Sequence, residues 1–512
     1  MSQLPKGWAF SSIAELGGLV GGKTPNKSDS SFWASGNVPW VSPKDMKVFN
    51  LTSSEDKITD AALTRGGMSL LPTQSVLMVT RSGILSHTFP VAITGIPVTI
   101  NQDIKAFVPR LEVHTKYFAY HLTSLKSQIL NTCSKEGTTV ASVETAKLEK
   151  LPIQLAPLPE QKRIADKLDA TLARVDACRE RLNRIPALLK RFRQSVLAAA
   201  TSGQLTVDWR EKNIASEGES NLHLTKGNKV GWADEGSPTD ADTNGERWAS
   251  QTQPNLGANT NTNNDITVSE SRPRALTQFR GRNLTELPFD WAWREFTDVA
   301  FVASNLQDPN LTPNAFHIAP NHIETGTGRL LEYTTIENDR VTSAKHHFRS
   351  GQILYSKIRP NLCKVVIVNF EGLCSADMYP IDAKISTKYL FYWMLSEKFT
   401  DWASNAESRT VLPKINQKDL GIIPVPVPTN PEQHEIVRRV ETLFAFADRL
   451  DARLTAAQTA AERLTPALLA KAFRGELVPQ DPNDEPASEL LKRLAAQRDA
   501  APKAKRGRKT AA

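Results

Sequence analysis

Cysteine is scarce in this chain: four in 512 residues, at Cys133, Cys178, Cys363 and Cys374, with no CxxC pair among them. That spacing leaves no disulfide framework and no zinc knuckle, and fits free thiols in a reducing compartment. Long apolar runs are missing too. No stretch approaches the ~18 residues of a membrane span, and the opening Met1-Ser2-Gln3-Leu4-Pro5-Lys6 has no signal-peptide core. A cytoplasmic protein without a membrane partner is expected. Catalytic signatures are equally absent. There is no GxSxG, no His/Cys metal spacing, no dinucleotide fingerprint after a strand, and no Asn-Pro-Pro-Tyr or Asp-Pro-Pro-Tyr of base-modifying methyltransferases. The chain is therefore expected to be no enzyme, with no catalytic residue and no metal ligand.

One stretch imitates a nucleotide site. Gly17-Gly18-Leu19-Val20-Gly21-Gly22-Lys23-Thr24 fits the GxxxxGKT phosphate-loop pattern. Such a loop works only between a buried strand and a helix whose amides cradle phosphate. Here Pro25-Asn26-Lys27-Ser28-Asp29 follows, which reads as more loop.

The net charge of +8 points weakly to nucleic acid, because much of it is terminal. From Lys492 onward lie eight of the 63 basic residues and one of the 55 acidic ones, so the body is close to neutral. Specific DNA binding must then come from local patches, with the tail free to act as a phosphate-binding arm.

What the chain does have is a repeat. Pro159-Glu160-Gln161 returns as Pro431-Glu432-Gln433, and at the same offset Gly203-Gln204-Leu205 returns as Gly475-Glu476-Leu477. Leu4-Pro5-Lys6-Gly7-Trp8 returns as Leu287-Pro288-Phe289-Asp290-Trp291. Each copy is a domain followed by a helical segment. The stretch between them is rich in Asn, Thr, Ser and Gly, with Asn-Thr-Asn-Thr-Asn-Asn at 259–264. Too polar to bury a core, it reads as a largely disordered linker.

Both helical segments carry heptad seams. The first runs through Ile164, Leu168, Val175, Cys178, Leu182, Ile185, Leu189, Phe192 and Val196; the second through Ile436, Val440, Leu443, Ala447, Leu450, Leu454, Ala457, Ala461, Leu464 and Leu468. Two seams in equal register predict that the helices pair, and matching partners on both sides favour an antiparallel pair. Pro186 and Thr465-Pro466 predict a kink or break in each, and Gly203 and Gly475 stand where glycines end helices. The globular halves show short strand-like runs, among them 75–80, 89–93 and 364–368. Each half adds one aromatic helical stretch, Tyr117–Leu130 and Tyr389–Trp402, giving an α+β class.

Together these motifs resemble the specificity subunits of type I restriction–modification enzymes. The resemblance rests on Leu-Pro-x-x-Trp opening each half, the Gly-Lys-Thr-Pro loop, and Pro-Glu-Gln opening each helix. The run Ile185-Pro186-Ala187-Leu188-Leu189-Lys190-Arg191-Phe192-Arg193 is similar to that family's central conserved region. It implies two target-recognition domains, 1–158 and 283–430, each gripping one half of a bipartite DNA site. A central conserved helical region at 159–206 and a distal one at 431–478 would form the antiparallel coiled coil. The linker would occupy 207–282 and a basic tail 479–512. The implied partners are double-stranded DNA, two methyltransferase subunits and motor–nuclease subunits. This chain would bind no cofactor: S-adenosylmethionine, ATP and magnesium would sit on the partners. A free-standing two-domain DNA-binding protein or scaffold, without restriction–modification partners, is the alternative.

DNA-reading residues are sought on exposed turns, where Arg and Lys reach guanine edges and Asn pairs with adenine. Arg81 and Ser82 follow one strand-like run; Lys357, Arg359 and Asn361 follow another; Lys44 follows Trp40-Val41-Ser42-Pro43. For each, a phosphate contact competes with base reading.

Overall fold

The computed structural model describes residues 4–109, 112–135, 140–213, 278–279, 282–405 and 413–500. It divides into two units: Met1–Ile185 together with Ala452–Ala512, and Pro186–Asp451. The division falls inside both long helices.

In the first unit a five-stranded sheet runs in the order Gly17–Gly21, Ile104–Pro109, Val76–Val79, Val91–Thr94, Asn50–Leu51, antiparallel except for its last pair. All four side chains of Val76–Val79 are buried, so the central strand reads as an unbroken apolar run, not an alternating one. The helix Thr115–Ser124 buries Tyr117, Phe118, Tyr120 and Leu122, with Phe118 stacked on Phe107 at 4.0 Å. Each such side chain contributes roughly 2 kcal/mol of burial. A smaller sheet joins Asp56–Ile58, Val38–Val41 and Thr99–Ile100. Ala9–Ser12 pairs with Pro152–Leu155, closing the domain immediately before its long helix.

The second unit repeats the plan with different emphasis. Its main sheet has four strands, Ala300–Val302, Met378–Ala383, Ile353–Ser356 and Val365–Ile367. Its second sheet has grown to five: Leu306–Gln307, Lys345–Phe348, Gly372–Cys374, Phe316–Ile318 and Thr334–Thr335. Ala292–Glu295 pairs with Pro424–Val427 as the closing ribbon. The expected aromatic helices are each two helices. The first breaks at Leu125, between Thr115–Ser124 and Lys126–Thr132. The second breaks between Thr387–Met394 and Glu397–Ser404, where the Ser396 hydroxyl accepts the Phe399 amide and caps a new start.

Two helices of 44 residues, Leu158–Thr201 and Asn430–Phe473, follow the domains. No helix among the described residues is long and apolar enough to cross a membrane. Of the kink or break expected at Pro186 and Pro466, no break occurs: both long helices run through their prolines. Proline strips the carbonyl four residues earlier of its donor; for Pro466 that carbonyl belongs to Glu462. Arg179 of the other long helix replaces the donor: its Nη2 lies 3.4 Å from the Glu462 carbonyl and 2.9 Å from that of Ala461. Within the first unit Gln458 also meets Asn183; within the second, Arg193 meets Asp448 at 2.7 Å. Gly203 (φ 80°) and Gly475 (φ 75°) end the helices in the left-handed region. A β-carbon on Gly203 would stand 2.4 Å from Pro288, and one on Gly475 2.5 Å from Pro5.

The seams hold in part. Ile164, Leu168, Val175, Leu189 and Val196 are buried, as are Ile436, Val440, Ala447, Leu454 and Ala461. Cys178 and Leu464 are exposed, and beyond Ala461 the buried face moves to Leu469, Ala472 and Phe473. A straight helix drifts ~20° per heptad, and the last turns pack on the domain: Phe473 stacks on His121 at 4.3 Å.

Two assignments differ from the sequence reading. Residues 207–213, counted with the linker, are helical, and Asp208 binds Arg439 at 2.6 Å. Most of the linker, 214–277, lies outside the described residues, as do 501–512 of the tail. The tail's first part instead forms the helix Ala487–Ala500, which buries Ala487, Leu490 and Leu494 in the first unit's core. Three leucine-or-alanine positions at helical spacing sufficed to dock it, despite the charge around them.

Candidate nucleic-acid interface

A constant frame carries the variable turns. Trp8 Nε1 donates to Glu160 at 3.1 Å, and Trp291 Nε1 donates to Glu432 at 2.8 Å. Gln161 accepts the His114 amide and donates to the Ala156 carbonyl; Gln433 accepts the Ser386 amide and donates to the Pro428 carbonyl. Tyr117 and Tyr389 each donate to a carbonyl of the closing ribbon, Gln154 and Pro426. Thus the Leu-Pro-x-x-Trp and Pro-Glu-Gln motifs are the two halves of one buried joint, made twice.

The frame holds a turn after the central strand of each main sheet. In the first unit the amides of Thr80 and Arg81 donate to the Asp103 carbonyl, and Arg81 bridges to Ser142. In the second, the Lys357 amide donates to the Asp377 carbonyl and Ile358 bridges to Lys414. Thr80 is therefore the counterpart of Lys357, Arg81 of Ile358, and Ser82 of Arg359.

Arg81 is exposed, and its Nε lies 2.6 Å from Asp103. Ser82 accepts the Ile84 amide at 3.4 Å and caps the short turn Gly83–Ser86, so its hydroxyl serves the loop. Lys357 sits 5.3 Å over the Tyr379 ring. Arg359 is exposed, with its backbone in the left-handed region at φ 48°, as is Cys363 at 45°. Each costs on the order of 1–2 kcal/mol for a side chain with a β-carbon. The turn Pro360–Leu362 between them projects Asn361 outward, and among the described residues neither Arg359 nor Asn361 has a side-chain partner. Lys357, Arg359 and Asn361 share one turn. Lys44 lies on a separate turn, paired with Glu55 at 3.1 Å and Asp56 at 3.0 Å. Its hydrogen bonds to Asp56 and Glu55 hold its pKa above the ordinary lysine value.

Sequence reading missed Lys44's counterpart, Asn321. In sequence the two stretches share only a proline, Pro43 and Pro320; the structure superimposes Trp40-Val41-Ser42-Pro43-Lys44-Asp45 on His317-Ile318-Ala319-Pro320-Asn321-His322 through the parallel pairings Val41–Ile100 and Ile318–Cys374. The same superposition explains a histidine group. His317, His322 and Asp339 place ligand-type atoms within 4.8 Å of one another. Yet His322 Nδ1 meets the Ala319 amide at 3.2 Å, as Asp45 meets that of Ser42, and His317 Nδ1 meets Asp339 at 2.7 Å. Buried Lys345 acts on His317 as a neighbouring cation, an unfavourable setting for a divalent ion. These bonds engage Nδ1 of both histidines, while His317 Nε2 is buried with no partner among the described residues. The glycine run is structural: Gly17–Gly21 is a strand paired to Ile104–Pro109, and a β-carbon on Gly22 would stand 2.0 Å from the Asn101 carbonyl.

A family model described as the type I restriction modification DNA specificity domain matches residues 5–187 and 309–457, one segment in each copy. The chain belongs to this family. Within it, the chain is 44% identical over 381 residues to the EcoDI specificity subunit of Escherichia coli, covering 73% of this chain and 74% of the relative. It is similar in fold to the HsdS subunit of Thermoanaerobacter tengcongensis, with TM-score 0.52 and 16% identity, over 93% of this chain and 98% of the other. A chain from a structure on complex assembly and conformational transition of the type I restriction–modification system aligns with TM-score 0.61. It shares 16% identity over 93% of this chain and 100% of its own length. The specificity family thus accounts for both copies, and the chain is a DNA-specificity subunit of a type I system.

Proposed function

We propose that each globular half grips one half of a bipartite DNA site, reading it with the turns that carry Arg81 in the first copy and Lys357, Arg359 and Asn361 in the second. One observation carries this. Bond for bond the Trp–Glu and Gln–amide joints are the same in both copies, while the turns they support differ in every exposed side chain. A constant frame with two different turns suits two different half-sites.

The long helices form an antiparallel coiled coil in this reading. Its support is the order of contacts: Arg179 meets Ala461 while Asn183, further along, meets Gln458, earlier in its own helix. The chain makes and breaks no bonds itself. Two methyltransferase subunits, with S-adenosylmethionine, modify a base flipped from the duplex held here. Motor–nuclease subunits with ATP and magnesium cut unmodified DNA.

Replacing residues 1–158 by the corresponding domain of a related subunit tests the reading. Sequencing of methylated sites should show one half-site changed and the other retained. If both halves change together, the halves do not read independently.

A further inference from the structure

The reading turns share a feature at their base. In each copy the strand returning under the turn starts with a tight turn: Asn101-Gln102-Asp103-Ile104 in the first, Ser375-Ala376-Asp377-Met378 in the second. The first side chain receives the amide of the aspartate, at 3.0 Å from Asn101 and 3.2 Å from Ser375. The aspartate carbonyl then receives the amide of Thr80 or of Lys357. Its carboxylate holds a cation in both copies, but from different places in the sequence. Asp103 holds Arg81, at 2.6 Å. Asp377 holds Lys414, at 3.3 Å.

These cations occupy the two sides of one bridge. Arg81 is bridged to Ser142, and its counterpart Ile358 is bridged to Lys414. In the first copy the turn supplies the cation and the bridging strand a serine. In the second copy the turn supplies an isoleucine and the bridging strand the lysine. Two unrelated residues have come to the same carboxylate.

We infer that Asp103 and Asp377 are positioning residues for DNA reading, and that Lys414 is the second copy's equivalent of Arg81 at the DNA face. This inference rests on the proposed reading by the turns and adds to it both the clamp and a residue absent from that reading. The physical reason is geometric. A long cation free to rotate neutralises any phosphate it meets, whereas a cation tethered to a fixed carboxylate meets a base edge in one orientation. The aspartate is anchored by its own backbone to the amide of the turn, so cation and turn keep one register. The cation of each pair remains open to solvent. Side-chain exposure is 57% for Arg81 and 45% for Lys414, so a base edge can reach them without disrupting the core.

The test uses the full chain bound to a randomised duplex pool, with the bound fraction sequenced at two salt concentrations and each variant's melting measured alongside. Asp377→Asn and Lys414→Ala should relax the same base position in one half-site by about tenfold and leave the other half-site intact. Asp103→Asn and Arg81→Ala should do the same in the opposite half-site. Lys414→Arg should retain discrimination. In the aspartate variants the freed cation should keep or raise affinity for unrelated duplex, which a merely structural role would not do. Asparagine variants that keep full discrimination, while Arg81→Ala and Arg359→Ala lose it, overturn the clamp and leave the reading turns standing. Asparagine variants that lose all DNA binding and melting together overturn it as well. If no turn variant alters the selected sequence, or the unsubstituted chain selects none, the reading itself has failed and the clamp with it.

Discussion

Glu160 and Glu432 hold the same place in the two copies and the same tryptophan bond, yet their charge surroundings differ. Glu432 also accepts Thr206 Oγ1 at 2.7 Å and pairs with Arg210. The first copy has Val478 and Pro482 at the matching places, and Glu160 Oε1 is buried without a partner. Burial holds the Glu160 carboxyl above its ordinary value, with the Trp8 bond acting the other way. Glu432→Gln should therefore cost about 3 kcal/mol by leaving Arg210 unpaired. Glu160→Gln should be neutral or slightly stabilising. Denaturant melts of the two variants check this, and equal losses would sink the asymmetry. His121 makes a pH statement. Burial pushes it down to about 4 from 6.5, and its Nε2 accepts the Gln154 amide. Between those values the unfolded chain takes a proton that the folded one refuses. Stability is therefore intact above about pH 6.5 and falls as pH drops toward 4, by about 3 kcal/mol in all. His121→Gln, which keeps an acceptor, should flatten that slope in acid titrations of melting temperature.

The long helices were the most legible elements, because a seam of apolar residues repeats often enough to outweigh local exceptions. The exceptions are instructive. Proline at 466 reads as a kink or break, and the helix continues through it because Arg179, nearly 300 residues away in sequence, supplies the missing donor. Cys178 fits the seam by spacing and faces solvent. Leu454 is buried, whereas Leu182 is half-buried. Leu454→Asp should cost several kcal/mol and Leu182→Asp less, because a charge with access to water need not be desolvated. Calorimetry on both variants checks the order, and equal, negligible losses would argue against helix pairing. Strands were legible as runs but not as sheets. Pairings such as Trp40–Thr99 link residues distant in sequence and leave no local pattern. The candidate site was legible as turns. Its charge pairing was not, since Asp103 and Asp377 are bound to their cations only through the fold.

At the scale of the whole molecule, the repeat identified the architecture and the joints explain why its motifs recur. What repetition did not reveal is which stretches complete each unit. Leu469, Ala472, Phe473, Leu490 and Leu494 belong to the core begun by Trp8 and Ile13. Pro5 packs on Gly475, and the Ala487 amide donates to the Gly7 carbonyl. The second unit, by contrast, is one continuous stretch. A ribosome delivers the chain in one direction, so the half begun first is the half finished last. Its apolar core waits, partly open, until nearly all 512 residues have been made, while the later half closes around residues already in hand. A chain stopped after residue 451 should thus keep a compact second unit and leave the first one prone to aggregation and protease, although every residue removed lies far from it in sequence. Limited proteolysis of that truncated chain would show cuts concentrated before residue 158. Protection of those residues would mean that the first domain needs no closing from the far end, and that the order of synthesis leaves it no period of exposure.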